Sequence, residues 1–421
     1  MYFCAKYLMM QQILNPGELI GLEEKHGAHN YHPLPVVLER GEGVFVWDVE
    51  GKRYFDFLSA YSAVNQGHSH PRIIGALKTQ AEKLTLTSRA FYNSELGKYE
   101  EFITRLFDFD KVLPMNTGAE AVETAIKIAR KWGYEKKNIP AGEARIIVCN
   151  GNFHGRTTTI ISFSNDPDAR NNFNPYTSGF INVEYNNAGS LREAIEKDPA
   201  RICGFLVEPI QGEAGVNVPD NGYLADCYEI CKKNNVLFIA DEIQTGIART
   251  GKMLAVDHEN IKPDILILGK ALSGGAYPVS AVLANDGIMN VIKPGQHGST
   301  YGGNPLACAV AMEALQVITD ENLAENAEEM GKIFRSEIEK MIPEFPFLKA
   351  VRGKGLLNAI LINDSPESST AWDLCVKLMK NGLLAKPTHG NIIRFAPPLV
   401  INEEEINESL NILKNVFEEF V

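Results

Sequence analysis

Three short stretches of the chain contain residues that could carry chemistry. Lys270 lies between the apolar run "ILIL" (265–268) and a pair of glycines, and a buried lysine is costly unless it has a function. Asp241 ends the apolar run "VLFIAD", where a carboxylate requires a cationic partner. Gly118 follows Thr117 at the start of a predicted helix, and free N–H groups at a helix start attract anions. Taken singly, the last two features are better explained by a structural salt bridge and a capped helix.

In combination, the three stretches provide what pyridoxal 5′-phosphate (PLP) requires from a protein. A lysine forms a Schiff base with the aldehyde of this cofactor, a carboxylate keeps its pyridine nitrogen protonated, and an anion-binding helix start takes its phosphate. Lys270, Asp241 and Gly118 supply these three groups, and the glycines after Lys270 leave room for cofactor and substrate. The sequence therefore predicts a PLP site.

The elements that must position these residues are predicted from hydrophobic patterns. Thr117 and Glu120 have the spacing of a capping box, which predicts that a helix begins between them. A helix is also predicted over 223–235, between two of the apolar runs that read as strands, which are 144–150, 202–210, 236–242 and 264–270. Alternating strands and helices indicate a doubly wound α/β domain with a mostly parallel sheet. Active sites of such sheets lie at the carboxyl ends of the strands, where Glu208, Asp241 and Lys270 all fall.

The sequence pattern changes at both ends of this α/β region. From about residue 316, long polar helices surround short strands, which predicts a small C-terminal α+β domain over 316–421. A hairpin is predicted at 43–57, with its turn at Glu50-Gly51, within an N-terminal segment (1–60) that is expected to pack with the small domain. The remaining residues, 61–315, form the predicted large PLP-binding domain.

Composition narrows the class of protein. The 421 residues are 45% hydrophobic with a formal net charge of −12, which argues against nucleic-acid binding. Seven cysteines without close spacing indicate a reducing compartment, and no apolar run is long enough to span a bilayer. The first forty residues lack the pattern of a signal or transit peptide, so a cytoplasmic location is expected. The paired histidines lack the context of a metal site, and no metal is predicted.

Longer phrases identify a family. The chain, from about Lys25 to near its C-terminus, resembles the class III, fold-type I PLP-dependent aminotransferases, and most closely the branch that acts on the δ-amino group of ornithine. The resemblance implies a large domain with a seven-stranded, mostly parallel sheet and a smaller α+β domain. It rests on the phrases "AHNYHPLPVVLERG", "NTGAEAVETAIKIARKWGY", "VEPIQGEAGV", "ADEIQTGIARTG", "LGKALSGG", "GSTYGGNPL" and "IIRFAPPLV".

The resemblance implies roles for residues around the cofactor ring. Lys270 would be the Schiff-base lysine and the proton shuttle, and Asp241 would pair with the pyridine nitrogen. Gln244 would hydrogen-bond to the phenolic oxygen of the ring, and Phe153, in "NFHGRT", would stack on it.

The phosphate of the cofactor would be held from two chains. By resemblance, Gly118 and Ala119 would offer it their backbone N–H groups, whereas Thr300, in "GSTYGG", would reach the phosphate in the neighbouring subunit. The active sites would therefore be shared within a homodimer.

The same resemblance assigns residues to the substrates, ornithine and 2-oxoglutarate. Tyr31 and Arg156 would hold the α-amino and α-carboxylate groups of ornithine, so that its δ-amino group points at the cofactor, and Tyr61 would line the pocket. Arg394 would bind the α-carboxylate of 2-oxoglutarate or glutamate, and Glu213 would mask this arginine while ornithine reacts. Without the resemblance, packing is the simpler explanation for both tyrosines.

Alternatives remain open at the level of the substrate. His154 occupies a position where animal ornithine enzymes carry tryptophan and where the acetylornithine branch carries histidine, so N-acetylornithine is the second candidate. Tyr31 argues against it, because an acetylated substrate has no free α-amino group to be held. Other ω-amino acids, such as 4-aminobutyrate or lysine, are weaker candidates. A racemase or mutase would not require Glu213 and Arg394, and a non-catalytic PLP protein would not require the substrate arginines.

Overall fold

The computed structural model describes residues 14–420, in which fifteen strands form three sheets. In chain order the strands are β1 (Leu38–Glu42), β2 (Phe45–Asp48), β3 (Arg53–Asp56), β4 (Lys111–Met115), β5 (Arg145–Cys149), β6 (Phe180–Val183), β7 (Ile202–Val207), β8 (Leu237–Asp241), β9 (Ile265–Leu268), β10 (Ser280–Ala284), β11 (Leu348–Lys354), β12 (Leu357–Ile362), β13 (Leu383–Leu384), β14 (Lys386–Thr388) and β15 (Ile392–Phe395).

The longer helices are α1 (Pro16–His26), α2 (Pro71–Ala81), α3 (Leu96–Phe107), α4 (Gly118–Glu135), α5 (Ala188–Lys197), α6 (Tyr223–Lys233), α7 (Pro305–Asp320), α8 (Leu323–Met341), α9 (Thr370–Lys380) and α10 (Glu403–Glu418). Single helical turns occur at Ser59–Ser62, Ile160–Phe163, Pro167–Arg170, Ala255–Glu259, Lys270–Ser273 and Asp286–Met289. Within residues 14–420, no helix is both long and apolar enough to cross a membrane.

The large sheet has seven strands in the order β4-β10-β9-β8-β7-β5-β6. Strands β9, β8, β7, β5 and β6 are parallel, whereas β10 runs antiparallel to both of its neighbours. The four strands predicted from apolar runs are β5, β7, β8 and β9, and the helix predicted between β7 and β8 is α6. The prediction of a mostly parallel α/β sheet is therefore confirmed.

Both faces of this sheet are buried, which explains the unbroken apolar runs. In β9, Ile265 and Ile267 belong to one apolar cluster and Leu266 and Leu268 to another, and all four are 0% exposed. Helix α4 packs in the first cluster, and helices α6 and α7 pack in the second. Because helices cover both faces, the free carboxyl ends of the strands remain as the place where polar side chains meet.

The two smaller sheets connect the ends of the chain. One has the order β1-β2-β3-β13, so the N-terminal hairpin pairs with a strand from the C-terminal region, with Leu383 beside Phe55. The other is an antiparallel sheet in the order β11-β12-β15-β14. The domain boundary expected at 60–61 falls inside the turn Ser59–Ser62, and the one expected at 315–316 falls inside α7. The chain is therefore continuous in structure at both positions, and the division into domains stays a prediction.

Candidate active site

A cavity of about 210 Å³ that opens to solvent lies at the carboxyl ends of the parallel strands. Seven of the residues that the sequence predicted for the site line it, namely Gly118, Ala119, Phe153, Glu213, Asp241, Gln244 and Lys270. The other lining residues are His154, Gly155, Glu208, Ile243 and Thr245. Residues that are far apart in sequence thus meet in one place.

Lys270 follows β9 and begins a single helical turn. Its backbone is left-handed, with φ 44°, a conformation that costs a residue with a side chain roughly 1–2 kcal/mol. Burial lowers the pKa of its amine to about 8, although the negative charge of Glu213 opposes this shift. Near neutral pH, Lys270 therefore has a much larger fraction of neutral amine than an exposed lysine does.

Asp241 ends β8 and is almost fully buried. Its Oδ1 accepts a hydrogen bond from the N–H of Ile243 at 3.1 Å. Its Oδ2 lies 2.6 Å from Nδ1 of His154. The sequence predicts a cationic partner for this carboxylate. Its partner within the chain is a histidine.

The start of α4 forms the anion-binding end of the cavity. Thr117 caps it, accepting from the N–H of Glu120, whose carboxylate accepts in turn from the N–H of Thr117, so the predicted capping box is confirmed. The N–H groups at Gly118 and Ala119 have no partner within the helix. A Cβ at Gly118 would lie 3.0 Å from the side chain of Ile243. The helix start therefore packs directly against the segment that follows Asp241.

A partly buried ion pair lies on another side of the cavity. Nη1 of Arg394, on β15, donates to Oε1 of Glu213 at 2.7 Å, and Nε2 of Gln244 donates to the same oxygen at 3.0 Å. Burial would raise the pKa of Glu213, but the charge and hydrogen bond of Arg394 lower it to about 2. Glu213 is therefore an anion that occupies the guanidinium of Arg394.

Tyr61 covers this ion pair. The guanidinium carbon of Arg394 lies 4.8 Å from the centre of its ring. Tyr61 belongs to the turn Ser59–Ser62, in which all four residues have φ between 47° and 71°. The N–H groups of Leu58 and Ser59 donate to Oδ1 of Asp56 at 2.8 and 2.9 Å, which fixes the start of this left-handed turn.

Arg156 and Tyr31 lie outside the cavity and are exposed. The guanidinium carbon of Arg156 is 5.9 Å from the centre of the Phe153 ring, so this arginine is close to the cavity. Its neighbour Thr157 donates to Oε1 of Glu123, on α4, at 2.5 Å. Burial raises the pKa of Tyr61, and Tyr31 is near enough to contribute to this shift.

Thr300 is a further predicted site residue that does not line the cavity of its own chain. It is exposed, in the loop before α7. The adjacent Ser299 accepts a hydrogen bond of 2.7 Å from Nδ2 of Asn116, just before the start of α4.

Two buried residues in the cavity were not assigned to the site from the sequence. Glu208 follows β7, and its Oε1 accepts from the N–H of Phe153 at 2.8 Å. Burial raises the pKa of Glu208 to about 7. His154 was considered only as a mark of substrate preference. The strand-end position of Glu208 was a usable signal, whereas nothing local in the sequence pairs His154 with Asp241.

The cavity fits PLP by its own chemistry. It combines a nucleophilic amine at Lys270, a carboxylate at Asp241, an aromatic ring at Phe153 and a helix start for a phosphate. In addition, Oε1 of Gln244 is buried without a hydrogen-bond partner in the part of the chain that the structure describes. Among residues 14–420, no cluster of metal-binding side chains was found.

Comparisons with known proteins agree with this interpretation of the cavity. A profile of the class-III aminotransferases matches residues 26–417. The chain is similar to the mitochondrial ornithine aminotransferase of Drosophila melanogaster, with 64% identity over 392 residues, which cover 93% of this chain and 89% of the relative.

Two solved structures are similar over nearly their whole length. The ornithine aminotransferase of Toxoplasma gondii, which has PLP at partial occupancy in its active site, gives a TM-score of 0.96 at 48% identity and covers 99% of this chain and 97% of its own. The acetylornithine aminotransferase of Elizabethkingia anophelis gives a TM-score of 0.89 at 64% identity and covers 96% of this chain and 100% of its own.

Proposed function

The chain belongs to the class-III aminotransferase family, and from this premise we propose that it transfers the δ-amino group of L-ornithine to 2-oxoglutarate with the help of PLP. The products are glutamate and glutamate-5-semialdehyde, which cyclises to pyrroline-5-carboxylate. The observation that carries this proposal is the Arg394–Glu213 ion pair in the cavity of Lys270. It provides a second carboxylate site that is closed while a diamine reacts.

Residues of several elements would hold the cofactor. Lys270 would bind it covalently, Asp241 would pair with its pyridine nitrogen, and Phe153 would stack on its ring. Gln244 would hydrogen-bond to its phenolic oxygen, and the N–H groups of Gly118 and Ala119 would bind its phosphate. When bound, PLP supplies a ring that withdraws electrons from the substrate carbon next to the reacting nitrogen.

The proton is moved by Lys270. A base that works near neutral pH must be partly neutral there, and the lowered pKa of about 8 gives its amine this property. In the ornithine reaction, Nζ of Lys270 accepts the proton that leaves the Cδ atom. The glycines that follow Lys270 do not line the cavity, because a Cβ at Gly274 would clash with Ile73 and one at Gly275 with Val64; the expectation that they leave room for cofactor and substrate is therefore wrong.

The orientation of ornithine depends on whether Arg156 or Arg394 is available to bind its α-carboxylate. Arg156 is free to bind the α-carboxylate, and Tyr31 binds the α-amino group, which together direct the δ-amino group into the cavity. A free Arg394 would instead attract this carboxylate and present the α-amino group. Nη1 of Arg394 already donates to Oε1 of Glu213 at 2.7 Å. Arg394 is therefore not available to bind the carboxylate of ornithine in that wrong orientation.

In the second half of the reaction, Arg394 binds the substrate after Glu213 has released it. 2-Oxoglutarate has two carboxylates, so it can offer one to Arg156 and one to Arg394 once Glu213 has moved away. An arginine–carboxylate interaction contributes on the order of 1.5–3 kcal/mol, enough to favour one orientation by tenfold or more. Tyr61, 4.8 Å from the guanidinium carbon, keeps Arg394 in place in either state.

Isotope transfer tests this proposal directly. The enzyme with PLP is supplied with 2-oxoglutarate and with ornithine carrying ¹⁵N at either the δ or the α position, and the glutamate formed is analysed by mass spectrometry. We expect ¹⁵N in glutamate from the δ-labelled substrate alone, and none from the Lys270→Ala variant. Equal transfer from both labels would exclude selective δ-transamination.

N-acetylornithine is the second candidate substrate, and two observations favour it. One is His154, which the acetylornithine branch shares. The other is the similarity to the acetylornithine aminotransferase of Elizabethkingia anophelis at 64% identity. Tyr31 separates the two substrates, because the group that it would bind is blocked by the acetyl group. A Tyr31→Phe variant should therefore lose activity with ornithine and keep any activity with N-acetylornithine.

The assembly is proposed to be a homodimer in which Thr300 of each chain reaches the phosphate site of the other. Its exposure and its absence from its own cavity support this arrangement. Light scattering should give twice the chain mass of 46.5 kDa, and a mass of one chain would contradict the proposal.

The location in the cell is proposed to be cytoplasmic, on the basis of the seven cysteines without close spacing, which indicate a reducing compartment. The Drosophila relative is named as mitochondrial, so fractionation of cells that express the full chain is the appropriate test. Recovery in the mitochondrial fraction would overturn this proposal.

A further inference from the structure

His154 is a buried side chain that contacts Asp241 and has no role in the proposed mechanism. Its side chain is 0% exposed and that of Asp241 is 4% exposed, and Nδ1 of His154 lies 2.6 Å from Oδ2 of Asp241. A side chain without exposed surface cannot bind a substrate directly. Its effect on the reaction must therefore pass through the residue that it touches, which is Asp241.

The direction of the hydrogen bond follows from the chemistry of the two groups. An ionised carboxylate only accepts hydrogen bonds, so Nδ1 carries the proton and donates. Burial would lower the pKa of His154, but the hydrogen bond and charge of Asp241, together with the charge of Glu208, raise it. Nε2 is buried and has no hydrogen-bond partner within residues 14–420, so the contact of Nδ1 with Asp241 is the hydrogen bond that the ring makes there.

The ring is held in place by neighbours that do not depend on Asp241. Glu208 fixes the backbone before the histidine by accepting from the N–H of Phe153 at 2.8 Å. Asn152 donates to the carbonyl oxygens of Cys149 and Phe163 at 2.6 and 3.2 Å. The ring of His154 also lies 6.0 Å from that of Phe163, centre to centre. These contacts present Nδ1 to Asp241 from a rigid support.

Asp241 therefore receives two fixed donors, one for each oxygen. Oδ1 accepts from the N–H of Ile243 at 3.1 Å and Oδ2 accepts from His154. Two donors restrict the rotation of the carboxylate. A carboxylate that must bind a ring nitrogen needs this fixed orientation, because a rotated carboxylate would no longer face that nitrogen.

We infer that His154 is a positioning residue, which through its Nδ1–H holds the Asp241 carboxylate in the orientation that binds the pyridine nitrogen of the cofactor. This inference rests on the proposed function, in which Asp241 has that task. It gives His154 a role in cofactor binding and turnover, separate from any choice between ornithine and N-acetylornithine.

Two variants separate the donor from the packing. His154→Leu removes the N–H and fills the space, whereas His154→Asn returns an N–H donor near the position of Nδ1. Four quantities are measured for each purified enzyme: the dissociation constant of PLP by equilibrium dialysis, kcat and KM for ornithine, and the thermal midpoint of the cofactor-free protein. His154→Phe, which keeps a ring beside Phe163, replaces the leucine variant if the latter does not fold.

We expect His154→Leu to lose PLP affinity and turnover, and His154→Asn to regain them. A hydrogen bond to a charged group corresponds to about 10-fold to 100-fold, so we expect the PLP dissociation constant to rise and kcat to fall by factors in this range. KM for ornithine should change less than about 2-fold, because the substrate contacts are intact. His154→Asn should recover most of both losses.

The inference is overturned if His154→Leu binds PLP and turns over like the wild type, or if His154→Asn is as impaired as His154→Leu. A fall in thermal midpoint with unchanged PLP binding and kcat would equally overturn it, because the histidine would then be structural only. If the wild-type protein itself does not bind PLP, the proposed function fails instead, so the two failures are distinguishable.

Discussion

At the scale of single residues, Lys270 and Glu213 show how burial and neighbouring charge set chemistry. Burial lowers the pKa of Lys270 to about 8 from an ordinary value of 10.5. Burial alone would raise the pKa of Glu213, yet Arg394 lowers it to about 2. The lysine thereby becomes a base near neutral pH, and the glutamate stays an anion that masks Arg394.

The first prediction concerns the reactivity of Lys270. Only the neutral amine is nucleophilic, so the rate at which acetic anhydride labels Lys270 in the cofactor-free protein should rise with pH with a midpoint near 8. Mass spectrometry of the peptide that contains Lys270 gives this rate, and the exposed Lys98 serves as the internal control. A midpoint for Lys270 near 10.5 would show that its surroundings leave the amine unperturbed.

The second prediction concerns the mask on Arg394. In Glu213→Ala, the guanidinium is left without its carboxylate, so it should attract the α-carboxylate of ornithine and of glutamate alike. We expect the δ-transamination of ornithine to slow by about tenfold or more while the KM for glutamate falls. Steady-state kinetics in both directions measure this, with the exposed Glu101→Ala as control. An unchanged ornithine reaction would mean that Glu213 does not direct the substrate.

At the scale of elements, the left-handed turn Ser59–Ser62 is an unusual way to place a side chain. Four consecutive residues other than glycine have φ between 47° and 71°, and each such residue costs roughly 1–2 kcal/mol. The start of the turn is maintained by Asp56, which accepts from the N–H groups of Leu58 and Ser59 and also from Nε2 of His68 at 2.7 Å. Its result is the position of Tyr61 over Arg394.

The third prediction relieves part of this strain. Ala60 is exposed and has φ 47°, so Ala60→Gly should increase the free energy of unfolding by about 0.5–1 kcal/mol. The neighbouring Ala63 has an ordinary φ of −87°, and Ala63→Gly should decrease it by about the same amount. Urea unfolding of both variants tests the pair. If Ala60→Gly is as destabilising as Ala63→Gly, the turn is not strained.

Most elements around the site could be predicted from the sequence, because their signals are local. Apolar runs predicted β7, β8 and β9, and the Thr117–Glu120 spacing predicted the start of α4. The partner of Asp241 could not be predicted without a resemblance, since His154 lies 87 residues away and nothing near either residue records the contact. The left-handed turn was also not predictable, because Ala60 and Tyr61 carry no glycine-like signal for a positive φ.

At the scale of the whole molecule, Arg249 joins three parts of the chain. It is fully buried and donates to Oδ1 of Asn65 at 2.5 and 3.2 Å, to the carbonyl oxygen of Leu356 at 3.0 Å and to that of Pro397 at 2.6 Å. Burial lowers the pKa of Arg249 to about 9. The stretch "GIARTGKM", which resembles a phosphate-binding loop in spacing alone, thus connects the large sheet to the C-terminal sheet.

The fourth prediction tests this connection. Arg249→Met keeps the apolar stem but leaves the two carbonyl oxygens and Asn65 without their donor, so the free energy of unfolding should fall by about 2–4 kcal/mol. The control is Arg105→Met on α3, which removes an exposed pair with Glu101 and should cost less than about 0.5 kcal/mol. Equal effects of the two variants in urea unfolding would mean that Arg249 does not hold these parts together.

The central claim is that this cavity, in which Glu213 occupies Arg394, uses ornithine itself. The measurement that tests it most directly is a competition between ornithine and N-acetylornithine for the PLP form of the wild-type enzyme, followed by absorbance of the cofactor and by identification of the product. The account predicts a higher kcat/KM for ornithine, with pyrroline-5-carboxylate as its product. A higher kcat/KM for N-acetylornithine would contradict it, and would make Tyr31 a residue without a substrate contact.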